Sequence, residues 1–305
     1  MDFPQDENCE SKRVFAILIF GNLGLSARLS YKSILQNHKN GICVASDNAG
    51  ANWIRLNTPI ERTRDICFHA IPEHFLLELG LDSLEFDTYS NFGKERFIKL
   101  TSFKWYLLLD ILKKHREVDF VVFSDLDVIW FEFPSQDPFH LKANQSCVSL
   151  IQDDTPRGAT EYHFCTGIMF WKSSPKSIEI LTNLFETQIS SNLIGRLVPD
   201  EPILNQYWRQ LGDKSIFKIL DLTKFVIGNR FFHLFFSKRY KSSKQTAFHA
   251  NYVVGEKRKF RRLRALEIYQ QGKWGWILPL ILEIQAEIFF RVILKISSTT
   301  KPHKK

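Results

Sequence analysis

A chain of 305 residues, 44% hydrophobic and 14% aromatic with 27 Phe, is long enough for one large domain or two small ones and too apolar for global disorder. Its net charge of +8 is concentrated in Lys257, Arg258, Lys259, Arg261, Arg262 and Arg264, just after Lys238, Arg239, Lys241 and Lys244; such a block is either a solvated helix face or a site for nucleotide phosphates, an anionic membrane surface or nucleic acid. Five scattered cysteines (Cys9, Cys43, Cys67, Cys147, Cys165), none in a CxxC pair, argue against a disulfide framework and a zinc site, and for reduced core thiols in a cytosolic protein.

In chain order, residues 1–13 are polar and acidic, with no basic-then-apolar pattern, so a flexible N-terminus and no secretory signal are expected. Residues 14–20 (VFAILIF) form a continuous apolar run ahead of Gly21 and Gly24, as a buried parallel strand ending in a turn would; the run is too short to cross a bilayer. A helix over 25–37 and a strand over 42–45, closing on Ser46-Asp47, complete a βαβ unit. The spacing of Leu100, Phe103, Leu107, Leu108, Ile111 and Leu112 predicts a helix over 97–115. Lys104 falls at the edge of that apolar stripe, where an ammonium needs an anionic partner or must snorkel. A buried strand over 118–123 then runs into Ser124-Asp125-Leu126-Asp127. Strands at 147–151 and 168–171 and helices at 177–188 and 202–211 follow; 221–253 reads as irregular, and the chain is helical again from 266. This order predicts an α/β fold, a doubly wound and mostly parallel sheet whose ligands bind at the carboxyl ends of its strands.

Asp125 and Asp127 stand at such an end. Two carboxylates flanking one residue there can share a hard divalent cation, Mn²⁺ or Mg²⁺, which would bridge a diphosphate. A DxD pair is common in solvated turns; here both flanks, VDFVVFS and VIWF, are apolar, which an exposed turn would not need.

FVVFSDLDVIWFEFPSQDPF resembles the core of the nucleotide-diphospho-sugar transferase family, which includes plant cell-wall xylosyl- and arabinosyltransferases and has a GT-A fold. The resemblance continues in the family's order through FCTGIMFWK at 164–172, DEPILNQYW at 200–208 and HANYVVGEKRKF at 249–260, over roughly 14–263. It implies a metal-dependent glycosyltransferase that moves a sugar from a nucleotide-sugar donor, a UDP-sugar, to a glycan or other hydroxyl acceptor with retention of anomeric configuration; a lipid-linked acceptor is expected only if the C-terminal tail lies on a membrane. It implies Asp125 and Asp127 as metal ligands and catalytic residues, with His249 as the third ligand. Lys104 would stand near the donor phosphates. Gly255 would let backbone approach the diphosphate, with Lys257 or Lys259 pairing with it. Thr166 and Gly167 would line the sugar pocket, and Asp200 and Glu201 would face the acceptor; Glu201 departs from the family's usual Asp-Gln. Asp47 would hold the nucleoside or be a simple strand-end turn residue.

Two other readings compete. A phosphatase of the haloacid-dehalogenase type would use Asp125 as nucleophile, but that motif normally opens its domain, and Ile129 stands where Thr or Val is usual. A basic nucleic-acid-binding protein is opposed by the lack of any accompanying recognition signature, so no nucleic-acid partner is expected. The expected organisation is a transferase domain over 14–265 and an amphipathic helical tail over 266–305. Within 274–296, Glu283, Glu287, Arg291 and Lys295 recur every four residues and form one polar stripe. Burying those charges opposes a membrane span. The helix is expected to lie on a cytoplasmic membrane face with its stripe in water, or to pack across the catalytic domain.

Overall fold

The computed structural model describes residues 13–21, 23–39, 41–81, 95–133, 138–139, 146–156, 159–232, 234, 237, 244–251, 253, 255–270 and 281–285. Strand β1 (Arg13–Ile19), helix α1 (Leu25–Asn37) and strand β2 (Ile42–Ser46) form the expected βαβ unit. Helix α2 (Asn48–Asn57), β3 (Ile66–Phe68) and the short α3 (Glu73–Glu78) follow. Helices α4 (Glu95–Thr101) and α5 (Phe103–Lys114) lead to β4 (Phe120–Ser124) and β5 (Val128–Trp130). Then come β6 (Ser149–Asp153), β7 (Phe164–Lys172), α6 (Pro175–Leu193) and α7 (Asp200–Gln210). The short strands β8 (Phe217–Ile219), β9 (Phe225–Ile227) and β10 (Ala247–His249) precede α8 (Glu256–Gln270).

The main sheet has the order β3-β2-β1-β4-β7-β6-β8. All its pairings are parallel except those of β7, which is antiparallel to both β4 and β6. The central strands β1 and β4 are largely apolar because both faces are covered. Val14 and Ala16 of β1, with Val121 and Phe123 of β4, pack on one face with α5 and α6. Phe15, Ile17 and Ile19, with Phe120 and Val122, pack on the other with α1 and α2. A second sheet, β5-β10-β9, packs with α8 into its own cluster around Phe231, Phe248 and Leu263.

The structure revises four expectations. The helix expected over 97–115 is two: at Ser102 the chain tightens to i→i−3 bonds, Ser102 N–H to Lys99 O and Trp105 N–H to Ser102 O, both 3.2 Å. There Thr101 Oγ1 accepts from Gln188 at 3.1 Å and Ser102 Oγ from Asn192 at 3.0 Å, which ties the junction to α6. The strand expected at 147–151 is displaced to Ser149–Asp153. The stretch 221–253 contains β9 and β10, each three residues long and too short to show a period of two. The helix expected from 266 begins at Glu256 and carries the basic run, so it is continuous across 265–266.

That run is largely neutralised within the protein. Glu283 is fully buried and accepts from Arg261 Nε at 2.8 Å and Arg262 Nε at 3.0 Å, with Arg258 Nε at 3.5 Å. Arg264 pairs with Glu267, and Lys259 turns to Asp127. At Glu283 the stripe expected to stay wet therefore faces protein, while the adjacent Ile281 and Leu282 are 45% and 42% exposed. Glu287, Arg291 and Lys295 lie outside the described residues. Among the described residues, no helix is long and apolar enough to cross a membrane.

Candidate active site

β4 ends at Ser124, and Asp125, Leu126 and Asp127 turn the chain from the main sheet into β5 of the small one. The pair thus sits at the carboxyl edge of a parallel strand, where open α/β sheets bind ligands. Two antiparallel registers bring distant residues to it. β7 sets Ile168 opposite Ser124, so Gly167 lies beside Asp125, whose N–H donates to the Gly167 carbonyl at 2.9 Å. β10 sets His249 opposite Val128, and the Ala250 N–H donates to the Asp127 carbonyl at 2.9 Å.

His249 Nε2 lies 3.1 Å from Asp127 Oδ1 and 3.9 Å from Asp125 Oδ2. One ligand atom from each of the three residues falls within 4.8 Å of the others. The histidine tautomer follows from its other side. Gln152 Nε2 reaches toward the Phe225 and Val226 carbonyls at 3.4 and 3.5 Å, so Gln152 Oε1 is the atom 2.7 Å from His249 Nδ1. Nδ1 must then donate, leaving a lone pair on Nε2 directed at two carboxylates. That arrangement calls for a cation between them or a proton on Nε2. Two carboxylate oxygens and one imidazole nitrogen suit Mn²⁺ or Mg²⁺ with substrate oxygens completing the shell.

Two ammonium groups flank the acids. Lys104 does not snorkel: it is buried, with Nζ 2.6 Å from Asp200 Oδ2, 3.2 Å from Asp125 Oδ1 and 3.2 Å from the Thr166 carbonyl. Burial alone would lower its pKa, but the Asp125 and Asp200 carboxylates outweigh it and hold the pKa above the ordinary lysine value. Lys259 Nζ is 2.6 Å from Asp127 Oδ2. Against the cost of burial, Lys259 and His249 hold the Asp127 pKa well below the usual carboxylate range. Partial burial lifts Asp125, opposed by Lys104 and aided by the Asp127 charge. The side chain of Asp125 is 37% exposed and that of His249 only 5%, so the cluster opens to solvent on the Asp125 side.

The remaining expected residues divide. Asp200, the first residue of α7, joins the site through Lys104 and through Thr166 Oγ1, which donates to its Oδ2 at 2.5 Å. Glu201 is turned away to His163 Nε2 at 3.0 Å, beside Asp154 and Cys165; burial raises its pKa. Of the two candidate lysines, Lys259 reaches the site and Lys257 is exposed. Gly255, at φ +93°, immediately precedes α8, where a side chain would be strained. Asp47 accepts from Gly50 N–H at 2.6 Å and Gly21 N–H at 3.1 Å; it caps α2 and ties it to the end of β1, which are turn duties. Gly167 is needed for close approach, since a Cβ there would fall 2.0 Å from His249 Cε1. Gln152 was not foreseen, because nothing in its local sequence marks a residue that orients a ligand far along the chain.

A family model described as nucleotide-diphospho-sugar transferase matches residues 61–263. No curated protein matches the sequence significantly. Among solved structures, the chain is similar to an active-site mutant of LgtC (13% identity, 83% of this chain and 95% of that chain covered, TM-score 0.52). It is similar to the galactosyltransferase LgtC in complex with donor and acceptor sugar analogs (12%, 78% and 87%, 0.51). It is also similar to the apo glycosyltransferase GlyE of Streptococcus pneumoniae (12%, 91% and 64%, 0.51). At such identities the likeness shows the fold, which is GT-A.

Proposed function

The chain belongs to the nucleotide-diphospho-sugar transferase family, and from that premise we propose that it is a metal-dependent glycosyltransferase using a UDP-sugar, with Mn²⁺ or Mg²⁺ held by Asp125, Asp127 and His249. The observation that carries this is the convergence of His249 Nε2 on the two carboxylates, 3.1 Å from Asp127 Oδ1 and 3.9 Å from Asp125 Oδ2, with Nδ1 held by Gln152. Family membership sets aside the phosphatase and nucleic-acid readings.

The bound cation would supply electrostatic stabilisation of the leaving diphosphate. Asp127 and His249, the more buried ligands, and the more exposed Asp125 would hold it, with Asp125 on the side open to a nucleotide. Lys259, which pairs with Asp127 beside this cluster, would be within reach of a bound diphosphate and would help neutralise it. Lys104 keeps Asp125 and Asp200 from repelling each other and fixes both. Thr166 and Gly167 line the sugar pocket, Asp200 faces the acceptor hydroxyl, and Asp47 shapes the Gly21 turn beside the nucleoside. Among the described residues, the carboxylates nearest Asp125, those of Asp127 and Asp200, are each paired with a lysine, which suits retention with the leaving diphosphate accepting the acceptor's proton.

The acceptor is a glycan or lipid-linked hydroxyl. Glu283 is turned inward and Ile281 and Leu282 are exposed, so these two apolar side chains are the contacts offered to an anionic membrane surface. Ile281→Glu with Leu282→Glu keeps Glu283 in place and should abolish flotation with anionic liposomes; unchanged flotation, or none by the parent chain, removes the membrane part.

The core proposal is tested by metal-dependent hydrolysis across UDP-, GDP- and CMP-sugars. Turnover should be confined to UDP-sugars and vanish in Asp127→Ala. Full activity of that variant, or in excess chelator, sinks the proposal, and an inverted anomer by NMR refutes retention.

A further inference from the structure

A second cluster of ligating side chains lies apart from the residues of the nucleotide site. Cys43 on β2 and Cys67 on β3 are direct register partners in a parallel pair, so both side chains leave the sheet on the same face, the one covered by α5. His69 follows Cys67 by two residues and returns to that face; its N–H donates to the Val44 carbonyl at 2.8 Å, continuing the β3 edge. His115 caps the C-terminus of α5, its N–H donating to Ile111 O at 2.9 Å. All four residues are buried, and one ligand atom from each lies within 4.8 Å of the other three. Cys67 Sγ is 3.7 Å from His69 Nε2, close to the edge of a tetrahedron built with Zn–S of about 2.3 Å and Zn–N of about 2.0–2.1 Å.

We propose that Cys43, Cys67, His69 and His115 form a structural zinc site that pins the β2–β3 edge of the main sheet to the end of α5. Two thiolates and two imidazoles suit zinc and do not suit the hard cations of the carboxylate site. Two thiolates also cancel the ion's charge, which matters in a buried site. His69 Nδ1 lies 2.7 Å from Asp110 Oδ2 on α5. A carboxylate on that nitrogen fixes the tautomer that points Nε2 inward, as metal-bound histidines require. His115 Nδ1 faces Glu117 at 3.6 Å, leaving Nε2 as its ligand atom. Four protein ligands close the site to substrate, so its role is structural. The cysteine spacing argued against zinc because the ligands come from two strands and a helix end, and only the parallel register and the packing of α5 gather them.

The test uses the full chain carrying Asp127→Ala, so that the carboxylate site cannot contribute. Purified without chelators or immobilised metal, it should hold about one zinc per chain by mass spectrometry. Exchange to Co²⁺ should give a thiolate charge-transfer band in the near ultraviolet and the strong visible bands of a tetrahedral site. Adding Cys67→Ser or His115→Ala should remove the metal. Chain without zinc, cobalt uptake without a thiolate band, or a Cys43–Cys67 disulfide in freshly purified protein overturns the proposal. The wild-type ligand set alone decides this, so a variant that fails to fold leaves the test intact.

Discussion

Gln152 Oε1 accepts a hydrogen bond from His249 Nδ1 at 2.7 Å, and this contact between buried side chains sets which nitrogen of His249 faces Asp125 and Asp127. Gln152→Leu removes the acceptor while keeping an apolar fill. Loss of such an outer partner typically costs about 10–100-fold in metal affinity. Mn²⁺ titration by calorimetry or electron paramagnetic resonance should show that loss with the fold intact; unchanged affinity would mean His249 is oriented by something else.

Gly167→Ala should act through the same ring. Its Cβ would fall 2.0 Å from His249 Cε1, so the imidazole must move. A displacement of about 1 Å at a catalytic group can cost about 100-fold in rate. Donor hydrolysis should fall on that scale, and added Mn²⁺ should restore part of it. A variant with parental rate and metal affinity would show that the ring has room.

Glu283→Ala leaves Arg261 and Arg262 without their buried carboxylate. Breaking a buried ion pair by removing one partner costs about 3–5 kcal/mol. Urea unfolding should register that loss. A shift of a few tenths of a kcal/mol would show that solvent reaches these arginines.

His38 supplies a pH dependence separate from the active site. Burial, aided by the Arg62 charge and opposed by the Gly41 carbonyl, lowers its pKa from 6.5 to about 4. Between those values the unfolded chain binds a proton that the folded chain does not. Stability is therefore complete above pH 6.5 and falls as pH drops toward 4, by about 3 kcal/mol in all. His38→Gln, which retains a donor toward Gly41, should flatten that part of the stability curve relative to the parent; parallel curves would exclude the assignment.

Much of the fold was legible because local signals were strong. The apolar run at 14–20 nearly coincides with β1 and the helix expected over 25–37 coincides with α1, since a strand covered on both faces is apolar along most of its length. Asp125 and Asp127 were legible because they interrupt such a run. The break at Ser102 was not, because it depends on Gln188 and Asn192 reaching from α6. The inward turn of Glu283 was not, because four-residue spacing defines a stripe and says nothing of what the stripe faces.

The sequence by itself determined the α/β order, the family resemblance and the acidic pair, all carried by residues close together in the chain. Only the tertiary structure decided that His249 meets Asp125 and Asp127, that Lys259 and not Lys257 reaches Asp127, that Glu201 turns to His163, and that Cys43 and Cys67 meet His69 and His115. Each of these depends on strand register or on helix packing. In a sheet a slip of one residue would send every side chain of a strand to the other face, and no local pattern in three-residue strands such as β3 and β10 specifies which register is formed.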